Sequence, residues 1–296
     1  MMSAFLVSGE AHDADGKHRS SASESRFALV SASDLNGGPR VGLEADDFVI
    51  EDDGTVCDVI DVAPTSYPIA VIIDTSSFAR SDFQQVRDAV HQFVGALSGR
   101  DVALYETGGA ALRAVGFTRD RGQLEAGVSH LFARPNAAPR NLDGIIEAAA
   151  GLRQLMAPVT RMVVVSAGGP DAGARAPRDV LEAVMASRSI VDVVNRLQTR
   201  GGRLSGRAAR STTSSMSADA DATLLHALSE RTLGLYEDIL AASGYSLFLK
   251  RLRNQLQSEV IVEYSAPNGA ARKLRVGVRL PGVVVRGVAI ERPRQP

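Results

Sequence analysis

The stretch that decides the fold is YPIAVIIDTSSFAR, which runs from Tyr67 to Arg80. Its apolar run over residues 69–73 is typical of a strand buried on both faces inside a parallel sheet. The run ends abruptly in DTSS at residues 74–77. A parallel strand delivers the residues that follow it to the carboxyl edge of the sheet, where open α/β folds bind their ligands. The carboxylate and hydroxyls delivered there have the oxygen chemistry that Mg²⁺ prefers.

The composition indicates a globular protein without a dominant charge. The chain has 296 residues, 45% of them hydrophobic, and a formal net charge of −1. This balance provides no general attraction for nucleic acid or for an anionic membrane, so neither is expected as a partner. Because Cys57 is the single cysteine, an internal disulfide framework and a cysteine-based zinc site are excluded. No apolar run approaches the roughly 18 residues of a membrane span.

The first 25 residues allow two interpretations. They are polar and Ser-rich from residue 12 onward, which is typical of a disordered N-terminus in a cytoplasmic protein. Alternatively, the apolar residues 4–7, followed by small residues and a possible cleavage site at 9–11, look like the tail of a signal peptide. In that case the start site lies further upstream, and the protein is secreted or periplasmic.

From Tyr67 onward strands alternate with helices. Further strands are predicted at residues 102–105, 162–165 and 190–194, and an apolar stripe at helical spacing follows the first strand between residues 83 and 97. This alternation predicts an α/β domain over residues 66–257, with a doubly wound, mainly parallel sheet covered on both faces.

Two features depart from that alternation. Both chain ends read as short strands, which predicts a small β subdomain built from residues 26–65 and 258–292. Residues 199–221 are rich in Gly, Ser, Thr and Arg, which predicts a flexible loop, and a helix is predicted after it over residues 224–242. The arginines at the start of that loop have no aromatic residue among them, so a base-stacking platform for nucleic acid is not expected.

Several motifs, in this order, resemble those of a known family. They are VGLEADDF at 41–48 with EDDG at 51–54, the strand into residues 74–77, and RKLRV at 272–276 with PGVVVR at 281–286. With these motifs the chain resembles the von Willebrand factor A-type domain, and more closely a bacterial group of proteins built around a divergent copy of it. The resemblance implies a Rossmann-like α/β domain that binds other proteins at the carboxyl edge of its sheet.

The same resemblance implies a degenerate metal site. The family's metal-ion-dependent adhesion site takes Asp-x-Ser-x-Ser from one loop, a Thr from a second and an Asp from a third. This chain supplies Asp74 and Ser76, but Phe78 stands at the second serine, Arg140 at the threonine and Ala167 at the aspartate. One carboxylate and one hydroxyl make a poor site for Mg²⁺, so we expect no cofactor.

Three hypotheses describe what Asp74 does instead. Arg140 could reach Asp74 as a bidentate partner and replace the ion. Asp171, four residues past Ala167, could swing in and complete a Mg²⁺ site with Asp74 and Ser76. The third reading is structural: Asp74 accepts backbone and hydroxyl hydrogen bonds within a tight loop. Asp143 is expected in the first turn of a helix, where the dipole favours it.

The leading functional prediction is a non-enzymatic protein-interaction module that binds its partner without a bridging metal. The predicted partner-binding residues are Asp74, Ser76, Ser77, Arg140, Asn141 and Asp171. The alternative is metal-dependent adhesion through Asp74, Ser76 and Asp171. A remote alternative is an enzyme with an unrecognised site, for which the sequence offers no nucleophile elbow and no phosphate loop.

Overall fold

The computed structural model describes residues 23–97, 99–173, 175–198, 208–267 and 273–291. The strands of this part of the chain are β1 (Ser23–Asp34), β2 (Phe48–Asp52), β3 (Thr55–Pro64), β4 (Ile69–Ile73), β5 (Val102–Glu106), β6 (Leu112–Thr118), β7 (Thr160–Ser166), β8 (Ser189–Arg196), β9 (Tyr236–Ile239), β10 (Val260–Pro267), β11 (Leu274–Val278) and β12 (Val283–Ile290). The α-helices are α1 (Phe83–Gly95), α2 (Arg121–His130), α3 (Asn141–Gln154), α4 (Pro177–Ala186), α5 (Ala208–Arg231) and α6 (Ser243–Gln257).

One sheet has the strand order β6-β5-β4-β7-β8-β9, with β4 near its middle. β4 runs parallel to both β5 and β7, β8 runs parallel to β7 and β9, and β6 pairs antiparallel with β5. After β4 the chain adds β5 and β6 on one side of that strand, and it later adds β7, β8 and β9 on the other side. At such a switch point a crevice opens beyond the carboxyl ends of the strands, and the loop after β4 lies there.

Alternate residues of β4 face two separate hydrophobic clusters. Ile69, Val71 and Ile73 belong to a cluster that includes apolar residues of α1, α2 and α6. Ala70 and Ile72 belong to a second cluster with residues of α3, α4 and α5. All five residues of β4 are buried, as predicted for a strand covered on both faces.

The other sheet has the order β11-β2-β3-β10-β1-β12 and consists of antiparallel pairs from the two ends of the chain. Its core includes Val30, Ile50, Val262 and Tyr264. The division of the chain into domains at residues 66 and 257 stays a prediction.

Three local predictions are wrong. Residues 23–25 were expected in a disordered N-terminus, but they open β1 and pair with residues 265–267 of β10, because that neighbour satisfies their backbone groups. In the predicted flexible loop 199–221, the backbone is helical from Ala208 onward. Leu225 and Leu228 pack into the core and anchor this helix. A prediction from the Gly and Ser content of the segment does not take that packing into account.

The helix predicted over residues 224–242 also has the wrong bounds, since the observed helix begins at Ala208. It ends at Arg231, and residues 236–239 form β9, an edge strand parallel to β8. A left-handed Leu233 at φ 57° and a Gly234 packed against Val191 turn the chain from helix to strand. Residues 1–22 and 199–207 lie outside the described part, so the predictions made for them remain open. In the described part, no helix is long and apolar enough to span a membrane.

Candidate functional site

Asp74 stands immediately after β4 and is 1% exposed. Its Oδ1 accepts a hydrogen bond from the backbone N of Ser76 at 2.8 Å, and its Oδ2 accepts one from the backbone N of Ala167 at 3.1 Å. Burial raises the pKa of the Asp74 carboxyl, while hydrogen bonds from Ser76, Ala167 and the Asn141 side chain oppose that rise. These contacts match the third hypothesis, in which Asp74 accepts hydrogen bonds within a tight loop. The carboxylate bridges the loops after β4 and β7.

The hydroxyls of Thr75 and Ser76 accept hydrogen bonds from backbone N–H groups of this loop and of the loop after β5. Ser76 is fully buried and caps the short 3₁₀ turn Ser77–Ala79, with its Oγ accepting from the backbone N of Phe78 at 3.3 Å. Thr75 is also fully buried, and its Oγ1 accepts from the backbone N of Gly108 at 3.0 Å. Ser77 is half-buried, and its backbone N donates to the carbonyl of Ala137 at 2.9 Å. The loop is thus held by hydrogen bonds within itself and to two neighbouring segments.

Asn141 is buried at the first position of α3 and is joined to a residue that sequence reasoning missed. Thr107 follows β5, is fully buried and donates from Oγ1 to Asn141 Oδ1 at 2.7 Å. The signal was available: Thr107 comes directly after a strand next to β4, so it lies at the same carboxyl edge. Asp74, Asn141 and Thr107 together connect the ends of β4 and β5 to the start of α3.

Arg140 does not pair with Asp74, so that hypothesis is wrong. Its Nη1 donates to Asp143 Oδ2 at 2.9 Å, and Arg175 donates from Nε to Asp143 Oδ1 at 2.5 Å. Asp143 lies in the first turn of α3, as predicted. Burial alone would raise the pKa of Asp143, but the hydrogen bonds from Arg175 and Arg140 outweigh burial and lower it. Arg140 turns outward because this nearer carboxylate is available, whereas Asp74 is enclosed by N–H donors.

Asp171 is used within its own loop and at the start of α3. Its Oδ2 accepts from the backbone N of Leu142 at 3.1 Å, and its Oδ1 accepts from the backbone N of Gly173 at 2.7 Å. The backbone N of Asp171 donates to Asp221 Oδ2 at 2.8 Å. Burial raises the pKa of Asp171 to about 6, with the Asp221 charge contributing and the backbone N–H groups opposing.

Two apolar residues occupy the positions at which the resemblance implies metal ligands. Phe78 is 36% exposed, and its ring lies over Gly169, where an added Cβ would come within 2.8 Å of the ring. Gly169 has φ 87°, so glycine is required there both for the backbone and for the ring. Ala167 is buried, and its carbonyl accepts a hydrogen bond from the Gln198 side chain. The edge therefore exposes an aromatic ring beside the enclosed Asp74.

This donor set is a poor fit for Mg²⁺. The ion needs near-ideal octahedral oxygen coordination and is usually bound by one or two carboxylates. Both oxygens of Asp74 already accept backbone N–H groups, and both oxygens of Asp171 do the same elsewhere. Within the described ranges, no group of three or more His, Cys, Asp or Glu side chains is placed to hold a metal.

The fold and the position of the site define the class of protein: an α/β domain with its candidate site at the carboxyl edge of a mainly parallel sheet. A von Willebrand factor type A structure from Catenulispora acidiphila is similar, with a TM-score of 0.50 and 11% identity, covering 92% of this chain and 74% of that one. Proximal thread matrix protein 1 from the mussel byssus also has a TM-score of 0.50, with 14% identity over 66% of this chain and 49% of that one. This chain thus spans about half the length of the mussel protein.

The chain has the von Willebrand factor A fold, as the motifs predicted. At these identities the likeness shows the fold alone. No protein-family model matches the sequence, and no curated protein matches it. The functional conclusion therefore depends on the contacts at the carboxyl edge.

Proposed function

We propose that this protein is a non-enzymatic interaction module that binds a protein partner at the carboxyl edge of its sheet without a bridging metal. One observation carries the proposal: the Asp74 carboxylate is 1% exposed and both its oxygens accept backbone N–H groups. Because these hydrogen bonds commit Asp74 to its own loop, it is a poor ligand for an ion unless a second carboxylate joins it. The edge instead offers the ring of Phe78 and the side chain of Arg140, which is 38% exposed.

These exposed groups suit protein recognition. Aromatic and arginine side chains are enriched among the residues that dominate protein–protein binding, because they combine apolar area with directional hydrogen bonds. The rest of the loop is rigid, since the side chains of Asp74, Thr75 and Ser76 are buried and hydrogen-bonded. A rigid loop presents its exposed groups at a low entropy cost on binding.

Site-specific photo-crosslinking tests this proposal. A benzophenone amino acid would replace Ser77 on the edge and, as a control, Val56 in β3, which is 74% exposed. In extracts of the native cell, we expect crosslinked protein adducts from position 77, with equal yield in EDTA and in Mg²⁺. Adducts confined to position 56 would place the binding surface elsewhere. Adducts at position 77 that require Mg²⁺ would favour metal-dependent adhesion instead.

A further inference from the structure

An open hollow of about 430 Å³ lies at the amino end of the parallel strands, away from the carboxyl edge. The lining residues show this position, because Ser66 precedes β4 and Arg100 precedes β5. Arg253 and Leu256 line the hollow from the end of α6, and Glu259 lines it where the chain enters β10. The hollow therefore lies where the α/β sheet meets the connection to the antiparallel sheet.

Two arginines of this hollow have hydrogen-bond donors without acceptors. Arg100 donates from Nη2 to the carbonyl oxygen of Leu256 at 3.0 Å, whereas its Nη1 is buried and has no partner among the described residues. Arg253 donates from Nη2 to Asn254 Oδ1 at 3.4 Å, and in the described part of the chain its Nε is likewise buried without a partner. A buried charged donor without an acceptor destabilises the folded state, so a ligand that accepts from it binds favourably.

Glu259, the one carboxylate among the described lining residues, already has its own cation. Its Oε1 accepts from Arg161 Nη2 at 2.6 Å, and its side chain is 1% exposed. Arg161 also pairs with Asp192, and Arg286 interacts electrostatically with all three of these groups. Two arginines and two carboxylates thus balance one another, so Glu259 has no charge left to offset the arginines of the hollow.

Arg100 and Arg253 have no counter-charge of their own. Within the described ranges, neither forms a salt bridge with a carboxylate. Asp101 follows Arg100 in the chain but is held by two hydrogen bonds from Arg119. Lys250 lies one turn before Arg253 on α6, and the two residues line an adjoining hollow together. This end of the molecule therefore presents a group of cations to an anion.

A phosphate group matches these donors better than a carboxylate does. It carries up to two negative charges, and its three terminal oxygens accept hydrogen bonds from guanidinium groups that lie in different directions. The side chains of Arg100 and Arg253 are half-buried, so rotation of a guanidinium turns an unpaired nitrogen toward such a group. The hollow has room for more than the phosphate, and Leu97 and Leu256 line it with apolar side chains that suit a small organic part.

We infer that this hollow binds a small phosphate monoester, with the guanidinium groups of Arg100 and Arg253 holding its phosphate. The inference does not rest on the proposed function, because this hollow and the partner-binding edge lie at opposite ends of the parallel strands. Its lining comes from segments that connect the two sheets. A bound ligand therefore also stabilises their junction and raises the thermal midpoint of unfolding.

The test uses glycerol 3-phosphate as the probe, with glycerol and acetate as controls at matched ionic strength. We expect the Nε–H signal of Arg253 in nuclear magnetic resonance to shift saturably with glycerol 3-phosphate and not with glycerol. By calorimetry, the affinity should fall about tenfold or more for acetate, and likewise in Arg100→Gln and in Arg253→Gln. Arg251→Gln is the matched control and should leave the affinity unchanged, because Arg251 lies on the same helix but pairs with Glu237.

No saturable signal with glycerol 3-phosphate, or an equal affinity for acetate, would overturn the inference. Binding that survives in both arginine variants would contradict the assignment of the two guanidinium groups. Tighter binding of inorganic phosphate than of glycerol 3-phosphate would assign the hollow to free phosphate and overturn the monoester. If Arg100→Gln does not fold, because it also loses the contact with Leu256, Arg253→Gln decides the outcome. None of these results changes the crosslinking expected at position 77.

Discussion

Arg161 of β7 donates from Nη2 to Glu259 Oε1 at 2.6 Å, and both side chains are 1% exposed. The same guanidinium donates to Asp192 Oδ2 at 2.8 Å and to the Tyr67 hydroxyl at 3.0 Å. Tyr67 precedes β4, and Glu259 leads directly into β10. A buried ion cluster therefore joins the two sheets at the amino end of the parallel strands, opposite the edge proposed to bind the partner.

Replacing Arg161 tests this cluster. Arg161→Met should lower the free energy of unfolding by about 3–5 kcal/mol, because it leaves two buried carboxylates without their cation. Urea denaturation followed by circular dichroism measures the change. The control is Arg178→Met, in an exposed ion pair with Glu182, which should change stability by at most about 0.5 kcal/mol. Equal effects of the two variants would mean that the cluster contributes no more than a surface pair.

The contact between Phe78 and Gly169 predicts a second stability effect. Gly169→Ala should destabilise by about 2–3 kcal/mol, because the left-handed backbone strains any side chain and the new Cβ meets the ring. Gly37→Ala is the matched control, since Gly37 also has positive φ but no atom lies within 4 Å of an added Cβ there. That control should cost only the backbone strain, about 1 kcal/mol.

A double-mutant cycle separates the two causes at Gly169. If the ring contact matters, adding Phe78→Ala to Gly169→Ala should recover part of the loss, because the smaller side chain leaves room for the Cβ. An identical cost with and without Phe78, measured by thermal unfolding, would contradict the contact and leave backbone strain as the full explanation.

The raised pKa of Asp171 predicts that acidification stabilises this part of the molecule. Its pKa is about 6 in the folded protein and about 3.8 as a free side chain, so between these values the folded state binds more protons than the unfolded state. This contribution to stability therefore falls as pH rises from 4 to 6. As pH rises through that window, the difference in thermal midpoint between the wild type and Asp171→Asn should shift against the wild type.

A direct titration controls for other groups, since burial also raises the pKa of the neighbouring Asp221. Carboxyl carbon resonances should show Asp171 titrating near pH 6. A midpoint near 4, with no difference in pH dependence between wild type and Asp171→Asn, would contradict the burial of this carboxylate.

Restoring the missing ligands should create a metal site. In Phe78→Ser with Ala167→Asp, we expect Mg²⁺ to raise the thermal midpoint, since an ion at 100 times its Kd adds about 2.7 kcal/mol. The wild type and the control Phe78→Ser with Ala167→Asn should not respond, because both lack the second carboxylate. A saturable Mg²⁺ response of the wild type, absent in EDTA, would instead support metal-dependent adhesion by the natural chain.

The sequence by itself determined the central strand, its burial and the loop that it delivers to the carboxyl edge. The resemblance of its motifs to a known family implied that Phe78 and Ala167 stand where oxygen ligands are expected. The strand, its burial and the position of the loop depend on the local pattern of apolar and polar residues along the chain, so a single sequence is sufficient to predict them. The same kind of pattern did not predict the first part of α5, because that helix depends on packing against the sheet.

Only the tertiary structure decided which groups pair. Arg140 turned to Asp143 instead of Asp74, Thr107 joined Asn141, and Arg161 met Glu259 from 98 residues away. The physical reason is that a charged side chain pairs with the partner that remains accessible after the backbone N–H groups have taken their acceptors. Spacing along the chain does not contain that information, because the competing donors come from loops that only the fold brings together.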